Sequence, residues 1–407
     1  MSVQDELRLK RLREVLRHAE GSCPGYRRLF HEAGVTADGF RSIDELSRIP
    51  PVTRRELQLN LGEYLSTAVD PRDRVRKSTS GSSGEPLIFY RDRETTTAGK
   101  AGTMRCMALA GWKPGDAVGY VWGFESDVET VFHDLKGIVS REFQLNAFRQ
   151  GDRNMARWAA RIRRHRIRFL YGYPNAIEVF AHFLEKAGEQ LPMTAVFCTA
   201  EHYLPQQRAH VERVFGCKSY NLYGSSEVQS VAYECREGRL HLASDFAIAQ
   251  SIGGDASGEV PRLVLTSLWN RCLPFIRYEI GDHGRVLKEQ CPCGIPGELL
   301  QLIGGKNYDF LRTREGYLHG AVAGRAFCNV AGVTRYQLIQ HGFDEFTARA
   351  VLPETRRRQD VRRQLERSVL RVLERHFGEG THIHFEYPRE LSPAPSGKFR
   401  FVIQEME

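Results

Sequence analysis

No apolar stretch in this 407-residue chain approaches the ~20 residues that a membrane-spanning helix needs. The segment from Met1 to Arg17 is charged and lacks the apolar core of a secretory leader. A cytoplasmic protein that neither spans nor binds a membrane is therefore expected. Internal repeats and long low-complexity tracts are missing too. Disulfides are not expected, because nine cysteines in a chain of this length do not form a disulfide framework. Cys23, Cys106, Cys198, Cys217, Cys272 and Cys328 are scattered among apolar residues and read as buried reduced thiols. Aromatic residues are absent from the most basic stretch, residues 356–375, where a single-strand binder would interleave them. Val361, Leu365, Val369 and Val372 recur there at helical spacing, so the stretch reads as an amphipathic helix with a wet, arginine-rich face. No nucleic-acid partner is expected, and the net charge of +8 suits small anionic substrates.

What the chain does have is the makeup of a soluble globular protein, with 41% hydrophobic and 27% charged residues. Its length points to two domains. A helical lead-in covers residues 1–70, with Leu9, Leu12, Val15 and Leu16 as an apolar stripe. Strands expected at 117–122, 168–171, 195–199 and 262–268 alternate with helices at 152–164, 174–187 and 205–215. That alternation predicts an α/β fold with mostly parallel sheets. After Gly304-Gly305 the pattern changes to strands around one helix, a compact α+β unit. The expected division is a large N-terminal domain, 1–305, and a small mobile C-terminal domain, 306–407.

The most informative stretch is residues 78–86, Ser-Thr-Ser-Gly-Ser-Ser-Gly-Glu-Pro. Its glycines let backbone N–H groups converge on an anion while five hydroxyls add donors. Arg74, Arg76 and Lys77 just before it suit the same anion. On composition alone a flexible linker is the competing reading. Three further motifs follow in order. Tyr223-Gly224-Ser225-Ser226-Glu227 offers an aromatic to stack on a purine and a carboxylate for Mg²⁺. Arg277-Tyr278-Glu279-Ile280-Gly281-Asp282 places an acid where a ribose diol can be held. Ser396-Gly397-Lys398 sets a lysine on a proline-rich turn, a mobile point charge for a phosphate. Singly, each also reads as an ordinary core aromatic, surface acid or turn. A Walker ending, Gly-Lys-Ser/Thr, is absent near the loop, which argues against motor or kinase chemistry.

Order and spacing together resemble the adenylate-forming superfamily, and within it the phenylacetate–CoA ligase family and related capsule-biosynthesis adenylating proteins. Tyr171-Gly172-Tyr173-Pro174, Cys198-Thr199-Ala200-Glu201 and Leu265-Thr266-Ser267-Leu268 add to the likeness. It runs from about residue 70 to the ending Ser396-Gly397-Lys398-Phe399-Arg400-Phe401-Val402. The resemblance implies that Thr79, Ser80, Gly81, Ser82, Ser83 and Gly84 hold the outer phosphates of ATP. It implies Ala200, Glu201 and Tyr223 beside adenine, Gly224, Ser225 and Ser226 also binding ATP, Asp282 on ribose and Glu227 on Mg²⁺. Lys398 would bridge carboxylate and α-phosphate. At the hinge, where the family carries Gly-Arg followed closely by Asp, this chain has Gly305-Lys306-Asn307-Tyr308-Asp309. Lys306 keeps the charge near ATP without a bidentate fork.

The implied reaction is ATP-dependent conversion of an organic acid to acyl-AMP and pyrophosphate, then acyl transfer to CoA. Transfer to an amine, hydroxyl or carrier thiol is the enzymatic alternative, and a non-catalytic nucleotide-binding accessory protein is the other class. Trp122, Phe124, Tyr171, Tyr173 and Asn175 are candidate walls of an acid pocket, and their aromatic content suits a flat acid. The family tendency is towards homodimers. Separately, Cys235, His241, Cys291 and Cys293 read as a closed Cys₃His set for structural Zn²⁺.

Overall fold

A computed structural model describes residues 3–79, 87–123, 137–201, 203, 205–253, 261–304, 310–314, 316–319, 324–327, 329–333, 335–354, 357–391 and 402–406. They fall into two compact units, one from 1–79, 87–112 and 220–305, the other from 113–219 and 306–407.

In the first unit, helix Val3–Ser22 buries Leu9, Leu12, Leu16 and Ala19, one helical face at i, i+3, i+7 and i+10. Pro24 opens helix Pro24–Glu32 at the position where its missing N–H is harmless. That helix carries Tyr26, whose hydroxyl donates to the Pro274 carbonyl at 2.7 Å and accepts from the Ile276 amide at 3.0 Å. Thr53 caps helix Arg54–Leu59 by accepting from the Glu56 amide at 3.1 Å, within a Thr-x-x-Glu capping sequence. Just before it, Val52 exchanges backbone bonds with Arg277 and Glu279, both 2.9 Å. The lead-in therefore fixes the segment that begins the 277–282 motif.

Seven strands of this unit pair antiparallel in the order Ala247–Ile252, Arg262–Ser267, Tyr278–Leu287, Leu299–Gly304, Leu240–Leu242, Gln229–Glu234, Lys218–Ser225. The last pair is irregular between Tyr223 and Gly224. A Cβ on Gly224 would stand 2.2 Å from the Gln229 carbonyl, so the close strand approach requires glycine there. Val75–Ser78 and Ile88–Arg91 form a separate hairpin flanking the Ser/Gly stretch.

In the second unit, four parallel strands run in the order Ala195–Thr199, Phe169–Gly172, Val118–Trp122, Glu142–Asn146. All five residues of Ala195–Thr199 are buried, as a strand covered on both faces should be. Helix Pro174–Ala187 starts on a proline and ends at Gly188 in the left-handed conformation, φ 65°. The C-terminal residues of this unit form their own sheet, ordered His382–Glu386, Glu345–Val351, Arg335–Gln340, Val402–Gln404. Helix Arg358–Phe377 buries Leu365, Val369 and Leu373 in the core of that sheet. Among the described residues, no helix is long and apolar enough to cross a membrane.

Candidate active site

In the first unit, the strands bring the acid and aromatic residues of two motifs together. Glu227, just beyond the strand Lys218–Ser225, is buried at 3% exposure, and its carboxylate accepts from the Tyr278 hydroxyl at 3.3 Å. A buried carboxylate with one long hydrogen bond from a described residue retains lone pairs for a hard cation, so the donor set fits Mg²⁺. Arg91 donates to the Ser226 carbonyl and lies near Glu227; burial lowers its pKa and the acid opposes that shift. The Tyr223 hydroxyl donates to Asp282 at 2.8 Å. Burial, and then the Asp282 carboxylate, raise the Tyr223 pKa well above the ordinary tyrosine range, so this hydroxyl keeps its proton. Ser225 accepts from the Val228 amide at 3.0 Å and ties the turn together, while Ser226 is exposed.

Thr79 opens the Ser/Gly stretch. Its hydroxyl accepts from Arg54 at 2.6 Å and from the Leu87 amide at 3.0 Å, which clamps both ends of the 80–86 segment. Ser80, Gly81, Ser82, Ser83 and Gly84 lie outside the described residues, as do Phe124, Lys306 and Lys398. Arg74 has a different task from the one its position suggests. Its guanidinium donates to the Ser66 and Val69 carbonyls, each at 2.8 Å, because the chain turns back on itself there and leaves those carbonyls without strand partners.

In the second unit, Trp122, Gly172-Tyr173 and Ala200-Glu201 all stand at or just past the carboxyl ends of adjacent parallel strands. Ligands of open α/β sheets bind at such ends. Trp122 stacks on Tyr173 with ring centres 4.3 Å apart and on Tyr171 at 6.1 Å. Asn175, in the first turn of helix Pro174–Ala187, donates through Nδ2 to Glu201 at 2.9 Å. Ala200 has φ 70°, a left-handed conformation that costs a non-glycine residue about 1–3 kcal/mol.

Cys235, His241, Cys291 and Cys293 converge so that one ligand atom from each lies within 4.8 Å of the others. Cys235 Sγ is 3.7 Å from Cys291 Sγ, and Cys293 Sγ is 3.3 Å from His241 Nε2. Three thiols and an imidazole turned inward form a closed soft donor set that fits a tetrahedral Zn²⁺. Among the described residues the other cysteines are in no disulfide, and burial pushes the Cys23 thiol up to about 11 and Cys106 to about 12. Cys328 is outside the described residues.

Two contributors carried no motif signal. Arg54 lies in the helical lead-in, far from the loop it supports, and only its capping sequence marks its place. Tyr278 sits inside the 277–282 motif, but nothing in its spacing tells that it faces Glu227.

The CapK C-terminal domain family model matches residues 310–405. A phenylacetate–coenzyme A ligase of Thermus thermophilus is 28% identical over 335 residues, 76% of this chain and 71% of the relative. Protein CapK of Staphylococcus aureus is 21% identical over 420 residues, 99% of this chain and 89% of the relative. A solved 2-hydroxyisobutyryl-CoA ligase, in complex with its acyl-AMP and CoA in the thioesterification state, superposes with a TM-score of 0.66 at 18% identity. That match covers 100% of this chain and 91% of the solved one. The fold is that of the adenylate-forming ligases. Within that class the chain is similar to phenylacetate–CoA ligases and to protein CapK, and its C-terminal residues match the CapK C-terminal domain model.

Proposed function

We propose that the protein is an AMP-forming acid–CoA ligase. It activates an organic carboxylic acid with ATP to acyl-AMP and pyrophosphate, then passes the acyl group to CoA. The single observation that carries this reading is the convergence in the first unit of a buried acid, Glu227, with the Tyr223–Asp282 pair and with Tyr278, which is met by the same Arg54 that clamps Thr79. These groups supply the acid, aromatic and hydroxyl that an adenylation site needs. The relatives named ligases of coenzyme A support the same acceptor.

Adenylation joins a carboxylate oxygen to the α-phosphorus and breaks the bond to the β-phosphate oxygen, so two anions must meet. Thr79 and the stretch 80–84 hold the leaving pyrophosphate. Asp282 accepts from the ribose hydroxyls, Tyr223 covers adenine while holding Asp282 in place, and Ala200 and Glu201 border the base. Lys398 supplies positive charge between carboxylate and α-phosphate, and Lys306 adds charge near ATP. Glu227 would hold Mg²⁺, which supplies compensating charge when bound. Trp122, Phe124, Tyr171, Tyr173 and Asn175 are assigned to the acid, and the stacked rings favour a flat one. The Cys₃His set would hold a structural Zn²⁺, because it leaves no open position for chemistry. Residues 306–407, which here share a compact unit with 113–219, are assigned the role of a mobile lid that carries Lys398; their own four-stranded sheet and the CapK C-terminal match support that role.

ATP–pyrophosphate exchange with a panel of acids tests the reading. Exchange with at least one acid is expected, reduced ~10-fold or more in Lys398→Ala, since losing one transition-state donor of this kind costs on the order of 10²–10³. Exchange with none, beside intact ATP binding, would leave only a nucleotide-binding accessory role. Adding CoA, hydroxylamine or amines after adenylation then distinguishes the acceptors.

A further inference from the structure

Within the second unit, helices Pro174–Ala187 and Pro205–Phe215 carry a cluster that the adenylation reading does not use. Glu178 and His182 stand four residues apart on one helical face, and His210 reaches them from the other helix. One ligand atom from each lies within 4.8 Å of the other two. The two imidazoles lie with ring centres 3.9 Å apart and planes inclined by 37°.

His210 is the informative member. Its side chain is 10% exposed, and Nε2 lies 2.7 Å from Glu185 Oε2. Glu185 is in turn held by Arg213 at 2.5 Å. A carboxylate paired with Arg213 accepts, so His210 Nε2 donates to it, and in the neutral imidazole a metal requires the lone pair is then on Nδ1. That Nδ1 is buried and has no hydrogen-bond partner among the described residues. It is aimed at Glu178, whose Oε1 is 3.9 Å away and whose Oε2 accepts from Gln207 at 2.7 Å. A carboxylate behind a histidine, with the opposite ring nitrogen directed at a second carboxylate, is how proteins orient a metal-ligating imidazole.

We propose that Glu178, His182 and His210 bind one divalent transition-metal ion, of the zinc, cobalt or nickel type, with Glu185 as the positioning residue for His210. Two imidazoles and one carboxylate select such borderline ions over Mg²⁺ or Ca²⁺. Bonds of about 2.0–2.2 Å place tetrahedral ligands ~3.3–3.5 Å apart. The 3.9 Å between His210 Nδ1 and Glu178 Oε1 closes to that by a small shift of the Glu178 side chain, and His182, exposed at 64%, rotates to meet them. The remaining coordination positions fall to water. Gln207 also donates to Asn175 Oδ1, and Asn175 donates to Glu201 at 2.9 Å. Loading therefore pins the two helices directly behind the Asn175–Glu201 contact.

Titration of the purified full-length protein with Co²⁺, after its cysteine set has been filled with Zn²⁺, tests the site. One Co²⁺ per chain is expected, with weak visible d–d bands and no thiolate charge-transfer band, and Zn²⁺ should displace it. His182→Ala and His210→Gln should each weaken binding ~10-fold or more. Glu185→Gln should weaken it ~10-fold with the stoichiometry kept, as for other carboxylates behind a ligating histidine. His182 is exposed, so its variant folds and is checked by circular dichroism. Absence of a second ion, thiolate bands only, or equal affinity in folded His182→Ala would overturn the proposal.

Discussion

The Tyr223 hydroxyl donates to Asp282 at 2.8 Å, joining the aromatic of one motif to the acid of another 59 residues away. Under the proposed function this bond orients the carboxylate assigned to the ribose diol, and the raised Tyr223 pKa keeps the donor protonated through neutral pH. Asp282→Asn should lower kcat/KM for ATP ~100-fold in pyrophosphate exchange. Tyr223→Phe should raise KM for ATP roughly 3–10-fold with kcat less affected, the scale of one hydrogen bond to a charged acceptor. Equal effects of both variants on kcat alone would remove the ribose assignment.

Glu227 gives the second prediction. Its buried carboxylate is met by the Tyr278 hydroxyl at 3.3 Å. Glu227→Gln keeps the shape but removes the charge, and should reduce exchange on the order of 10²–10³. It should also raise the Mg²⁺ concentration needed for half activity. Tyr278→Phe loses only the orienting bond and should cost ~10-fold or less. An unchanged Mg²⁺ requirement in Glu227→Gln would transfer the metal to another group.

The motif glycines and the parallel strands were legible because their signals are local. Strand–helix alternation marked Val118–Trp122, Phe169–Gly172 and Ala195–Thr199. The cysteine spacing likewise marked the residues that now converge. What was not legible depends on long-range placement. Arg54 reaches Thr79 only because Val52 pairs with the 277–279 backbone, a contact 225 residues apart in sequence. Backbone strain was equally silent. Ala200, Gln229 and Arg277 all have positive φ, at 70°, 68° and 48°, and none is a glycine or asparagine that would announce it. Each lies in or beside a motif assigned to the proposed site, so the strain sits where tertiary packing over-determines the chain. The lone pair on His210 Nδ1 likewise follows from Glu185 and Arg213 together, not from any spacing.

Gly172 supplies a stability prediction. A Cβ there would stand 2.0 Å from the Val121 carbonyl, on the neighbouring strand's backbone and not on a movable side-chain end. Gly172→Ala should destabilise by ~2–3 kcal/mol or more, the scale of severe overpacking, and thermal unfolding measures it. Gly99 makes a useful contrast, because its added Cβ would meet the Gln229 side chain at 1.7 Å. Gly99→Ala should be partly rescued by Gln229→Ala, whereas no single side-chain truncation should rescue Gly172→Ala.

The cysteine set predicts a metal-dependent unfolding transition. Purified protein should hold one zinc in the Cys235, His241, Cys291, Cys293 site. Its removal by a chelator, or Cys291→Ser, should lower the thermal midpoint, because ligand binding to the native state adds stability by mass action. The site is remote in role from the reaction, so kcat below the new midpoint should change less than ~3-fold, within ~1 kcal/mol. Zinc absent from protein purified without chelators would refute the assignment.

His376 closes the set with a pH dependence. Burial, and then Arg375 and Arg149, lower its pKa from 6.5 to about 4. Between those values the unfolded chain binds the proton and the folded one does not, so stability rises with pH across the window. The contribution is fully present above pH ~6.5 and is lost as pH falls towards ~4. The difference amounts to on the order of 2–3 kcal/mol, discounted for partial exposure. His376→Asn cannot titrate, and its urea midpoint should therefore vary less between pH 4.5 and 7 than that of the parent protein. Parallel pH profiles for the two proteins would show that His376 keeps its ordinary affinity for protons in the fold.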